Sequence, residues 1–184
     1  MTSTLKINNL DTASGTTITI PTGKSLVGTD IASIYAPDMV VQIARGSTST
    51  ITRTASSSDS YVPTNVTATI TPKFANSLII PHYVFSANTN QSVGNNAGLV
   101  YTIYRSINGG TFTDISTGGQ GMGQLVNTNT RTHASQTAMR IDTPNTTSSV
   151  EYKVYFKRST SHSSIEIPAT TTEHCGMLIY EIAQ

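Results

Sequence analysis

The residues able to do chemistry are few and widely spaced. Six carboxylates, Asp114, Asp142, Glu151, Glu166, Glu173 and Glu181, stand in the second half of the chain. Two of them brought together by folding would suit glycosidic hydrolysis, one as acid and the other as base or nucleophile. The four histidines, His82, His133, His162 and His174, are far apart, and none shows the His-x-x-x-His spacing of a helical metal site. A single cysteine, Cys175, leaves no intrachain disulfide and no Cys-based zinc site. Met177, Leu178 and Ile179 beside it predict a buried strand and an inert thiol. Gly118-Gly119-Gln120-Gly121-Met122-Gly123 lacks the helix and the closing Gly-Lys-Ser/Thr of a phosphate loop. Gly23-Lys24-Ser25 has those three residues but carries Ile18 where the loop's first glycine belongs. No Gly-x-Ser-x-Gly elbow occurs. The expectation is a chain with no catalytic residues, no metal and no cofactor.

Aromatic residues give the other candidate chemistry, that of binding. Tyr83, Tyr101, Tyr104, Tyr152, Tyr155 and Phe156 fall on three predicted strands. Most should fill a core. Tyr104 and Tyr155 fall on the outward side of their strands. Outward tyrosines bury area with little entropy loss, which suits a subunit contact or a sugar.

The elements that would position these residues are strands. Val150, Tyr152, Val154 and Phe156 alternate with Glu151, Lys153 and Lys157, the period-2 pattern of a half-buried antiparallel strand. Residues 99–105 repeat the pattern with more apolar residues, and residues 174–182 read as a buried last strand. Residues 77–85 read as a strand interrupted by Pro81, which points to an edge or a bulge. Asn108-Gly109-Gly110 predicts a hairpin. Residues 88–98, 117–123 and 127–133 read as exposed polar loops, with Asn90, Asn95, Asn96, Gln120, Asn127 and Asn129 as candidate tip residues. Strands at this spacing predict an antiparallel β-sandwich or jelly roll over residues 47–184.

Residues 1–46 read as an extended β arm. Its strands at residues 5–8 and 16–20 carry too few apolar side chains to form a core alone. Leu5, Ile7, Leu10, Ile18 and Ile20 are its candidate interface residues, together with Tyr104 and Tyr155 further on. Copies packed around a threefold axis would cover them, so a homotrimer is expected. Composition agrees with contact between like surfaces. Only 11% of the 184 residues are charged and the net charge is +1, while 54 are Ser or Thr. Such a balance leaves no electrostatic footprint for nucleic acid. No apolar run spans a membrane, and the N-terminus lacks the pattern of a signal peptide, so synthesis in the cytoplasm is expected.

Several segments resemble virion structural proteins of tailed phages of marine bacteria and cyanobacteria, of the tail-fibre or appendage type or the capsid-decoration type. They are residues 3–10, 14–24, 36–42, 69–80 and 142–156, among them Ser14-Gly15-Thr16-Thr17 and Thr69-Ile70-Thr71-Pro72. The resemblance implies a non-enzymatic protein on the virion surface, with other virion proteins as partners beside its own copies. Two roles stay open. One is a fibre or appendage subunit attached by its arm and touching host surface glycans. The other is a decoration, or cement, protein that stabilises the head. A polysaccharide depolymerase built on a carboxylate pair is a second alternative.

Overall fold

A computed structural model describes residue 22 and residues 36–46, 54–91, 97–116, 118, 121–127, 131–159, 163–168 and 175–184. The chain divides into two units, Met1–Ile34 and Tyr35–Gln184, and the fold described is that of the second. Leu5, Ile7, Leu10, Ile18 and Ile20 lie outside the described residues, as do Asn95, Asn96, Gln120, Asn129, Glu173, His162 and His174.

The described residues are all-β, as the alternation predicts. In chain order the strands are β1 (Val40–Arg45), β2 (Thr54–Ser56), β3 (Val62–Ile70), β4 (Leu78–Gln91), β5 (Ala97–Ile107), β6 (Thr113–Asp114), β7 (Gly123–Asn127), β8 (Arg131–Met139), β9 (Val150–Arg158), β10 (Ser163–Ile167) and β11 (Gly176–Ile182). They form two antiparallel sheets, a β-sandwich of the jelly-roll class. In the first sheet the long β4 is the spine. One of its edges pairs with β11 and then β10, and the other pairs with β8. β1 flanks β11 and β2 flanks β10. In the second sheet β9 lies between β3 and β5, and β7 and β6 follow one another along the far edge of β5.

β9 shows how the sequence builds this core. Val150, Tyr152, Val154 and Phe156 are all fully buried, each stabilising by roughly 1.5–3 kcal/mol. Phe85 joins the sheets: it stacks on Tyr83 of its own strand at 4.9 Å and meets Tyr101 of β5 edge-on at 5.1 Å. The Asn108-Gly109 turn is a hairpin with both residues at positive φ (51° and 72°), closed by Gly110 N–H donating to Ile107 O at 2.9 Å. Cys175 is buried, where sequence placed it.

Three expectations need correction. The division falls after Ile34 and not after residue 46, because β1 pairs along β11 and buries Val41 in the sandwich. Pro81 marks neither an edge nor a bulge. It lies in the interior strand β4, paired with Ile179 on one side, and the register on the other side runs unbroken from His82↔Met139 to Ile79↔Asp142. Pro81 O accepts from Arg140 N–H, so only the reciprocal bond of that pair is missing. The predicted loops 88–98 and 127–133 are shorter than expected. Asn90 belongs to β4, opposite Ser164 and Arg131, and Asn127 ends β7, opposite Ala97.

Two buried tyrosines make stability depend on alkaline pH. Burial pushes the Tyr83 and Tyr152 hydroxyls well above the usual tyrosine range, with Cys175 beside the first and the Asp142 carboxylate beside the second. Their folded pKa values lie above the unfolded value of 10.0, so their contribution is full below pH 10 and falls as pH rises beyond it. The expected loss is about 1.4 kcal/mol per pH unit for each. Tyrosinate absorbance and circular dichroism followed together should change in one cooperative step. Smooth ionisation of all 8 tyrosines with the β signal intact would contradict this.

Candidate functional site

The described carboxylates are separately committed. Asp114 accepts from Thr102 Oγ1 (2.7 Å) and from Ser116 N–H (2.8 Å). Glu151 accepts from Thr67 Oγ1 at 2.6 Å, with Lys153 Nζ at 3.5 Å. Glu166 accepts from Asn88 Nδ2 at 2.8 Å, and Asn88 Oδ1 in turn accepts from Arg131 Nε at 3.0 Å. Asp142 receives Arg105 Nη1 on both oxygens and the Tyr152 hydroxyl at 2.7 Å. Glu181 is fully buried and takes Ser77 Oγ, the Lys73 and Phe74 amides and Gln42 Nε2. Most of these contacts tie one strand or turn to another. Among the described residues no three His, Cys, Asp or Glu side chains gather as a metal site.

The structure brings Tyr104 and Tyr155 together, with two aromatics sequence reasoning did not connect to them. Tyr104 stacks on Tyr155 at 4.1 Å, Tyr61 lies 5.9 Å from Tyr104, and Phe112 lies 5.9 Å from Tyr155. Lys157 Nζ sits 4.6 Å from the Tyr61 centroid, and Lys153 Nζ sits 4.9 Å from that of Phe112. This row covers the outer face of the second sheet. Its ring faces are used on one another and on lysines, which takes them away from a sugar. Burial raises the pKa of Tyr61, Tyr104 and Tyr155, aided by the negative charge of Asp114 for the first two and of Glu151 for the third. Gly121, at φ +74°, lies close against β5, since a Cβ there would be 2.7 Å from Tyr101 O and 2.9 Å from the Tyr61 hydroxyl.

The outer face of the first sheet is different. Of the seven large apolar side chains exposed among the described residues, five stand on it: Val40, Ile43, Val84, Met139 and Ile141, from 46% to 62% exposed. The register puts them together. Val40 and Ile43 pair with Ile182 and Tyr180, and Met139 pairs with His82. Ile141 falls opposite Ile80 in the same unbroken register. Beside them is a cleft of about 350 Å³ bordered by Arg45, His82, Val84, Gly176 and Leu178. Sequence reasoning missed this face, although β11 carried the signal. Its Met177 and Ile179 point inward, yet Leu178, Tyr180 and Ile182 on the other side are apolar or aromatic too. A strand apolar on both faces is usual where both faces are covered.

Fold and surfaces thus define an antiparallel β-sandwich with one polar-aromatic face and one apolar face. No protein-family model matches the chain, and no curated protein sequence matches it. Among solved structures it is similar to the TNF protein Eiger from S. frugiperda, at 8% identity and a TM-score of 0.38 over 81% of this chain and 95% of that one. It is also similar to chains of infectious bursal disease virus. The Gx strain gives 15% identity and a TM-score of 0.39 over 89% of this chain, and the Gt strain 14% and 0.35 over 90%. In those two comparisons the chain spans 42% and 43% of the viral chain. TM-scores of this size carry nothing about activity or partners to this protein.

Proposed function

We propose that this chain is a non-enzymatic structural protein of a tailed-phage virion. It acts as a trimeric fibre or appendage subunit held to the particle by its N-terminal segment, with the sandwich outermost. The apolar face of the first sheet is the observation that carries this reading. A folded sandwich that leaves Ile43, Val84, Met139 and Ile141 in water is completed by assembly. The sequence segments that resemble virion proteins supply the setting. Low charge supports it further, because like surfaces meet without strong repulsion. Contact with host glycans falls to residues 92–96 and 128–130, between β4 and β5 and between β7 and β8, and avidity over three copies offsets weak single sites.

Removing residues 1–35 is expected to abolish incorporation into particles while the sandwich, whose first described strand is β1, keeps its β circular dichroism. Incorporation of the truncated chain at the normal level would refute attachment through that segment. Copy number against the major capsid protein tests the role itself. A few to a few dozen copies per particle supports an appendage, and a number matching the capsid lattice would replace it with cement.

A further inference from the structure

We propose that the outer face of the first sheet is the surface on which copies of this chain meet, with Met139 and Ile141 of one copy seated in the cleft beside Gly176 of the next. The proposal rests on the reading above that the chain assembles with itself. It adds the surface and the fit.

Charge argues for a second copy over a partner of different chemistry. The apolar part of the face carries one charge, Arg45, beside His82, while Arg131 stands further along β8 opposite Asn90. It therefore offers nothing to select an acidic or basic partner, and it does not repel itself. Shape argues the same way. Met139 and Ile141, each 62% exposed, stand proud on the β8 side. The cleft opens next to them, since His82 borders it and pairs with Met139. The cleft exists because position 176 has no side chain: a Cβ there would meet no atom within 4 Å. A projection and a recess on one surface let the projection of each copy enter the recess of the next around the axis that relates the copies.

Size sets the strength. Four strands about 4.8 Å apart and about seven residues long at ~3.3 Å per residue outline roughly 450 Å². That lies within the roughly 300–600 Å² of the largest surface patch on a typical monomer, a patch that is often functional. Two such faces cover about 900 Å², near the roughly 1,000 Å² that a specific interface should clear. Association is therefore expected to be reversible and in the micromolar range.

The full-length chain tests this with two variants, Gly176→Ile and Met139→Asp, followed by sedimentation over a concentration series and by thermal unfolding. Gly176→Ile puts side-chain volume into the recess from a Cβ position that meets no atom within 4 Å, and adds a β-branched residue to a strand. Its monomer should melt at the same temperature as wild type or higher. Met139→Asp places a charge where the isolated subunit already meets water. Each variant should weaken self-association by at least about tenfold, as expected for a residue at the centre of a contact. If wild type assembles and neither folded variant weakens it, this face is not the contact, while self-assembly itself stands. If wild type stays monomeric at every concentration, the self-assembly reading fails and this inference fails with it.

Discussion

Replacing Glu181 by alanine should destabilise the sandwich by about 3–5 kcal/mol, the largest effect expected of a single polar residue here. Glu181 sits on β11 with no exposed surface. One oxygen accepts from Ser77 Oγ (2.7 Å), Lys73 N–H (2.7 Å) and Phe74 N–H (3.2 Å), and the other accepts from Gln42 Nε2. The carboxylate thereby fixes the turn between β3 and β4 and anchors β1 from the other side. Alanine leaves four donors without their acceptor, two of them backbone amides that cannot be repacked away. Glu181→Gln keeps the shape and one acceptor oxygen, so its loss should be smaller, about 1–2 kcal/mol. Urea unfolding at fixed protein concentration measures both, since association would otherwise shift the midpoint. Equal stability of wild type and Glu181→Ala would show that the turn does not depend on this carboxylate.

Asp142→Ala is the second large effect, about 3 kcal/mol or more. Its carboxylate is 11% exposed and receives both Arg105 of β5 and the Tyr152 hydroxyl of β9, while its backbone exchanges two hydrogen bonds with Ile79 of β4. One residue therefore clamps the second sheet to the spine of the first. Alanine strands the Arg105 guanidinium, itself only 23% exposed, and leaves the Tyr152 hydroxyl without its acceptor. Replacing both ionic partners, as in Arg105→Met with Asp142→Leu, should recover part of the loss, because a buried pair is strongly destabilising chiefly when one member is left alone. A double-mutant cycle in urea reads the coupling directly. Additive single effects would show that the two groups do not act as a pair.

Both carboxylates had been candidates for catalysis on residue type alone. Their surroundings give them structural work, holding a turn and holding two sheets together.

The sequence by itself determined the strands whose pattern is local. β9 alternates apolar with polar residues, β5 repeats the pattern with more apolar residues, and the last strand is a short run that is almost wholly apolar, so burial is written directly into these segments. The Asn108-Gly109 hairpin was equally legible, because two adjacent positive φ angles demand those residue types. Only the tertiary structure decided the rest, in each case because the deciding partner is distant in sequence. Ser86-Ala87-Asn88-Thr89-Asn90 looks like loop composition, yet Asn88 is fully buried in β4 because Glu166 and Arg131 satisfy its amide. Pro81 is tolerated in an interior strand because its carbonyl still accepts from Arg140 N–H and only the one reciprocal bond is forfeited. Tyr104 and Tyr155 point outward as the alternation requires, but their stacking follows from a β5–β9 register that no local pattern encodes. The apolar face is the last such case: Val40, Ile43, Val84, Met139 and Ile141 come from three separate segments, and only strand order and register place them side by side.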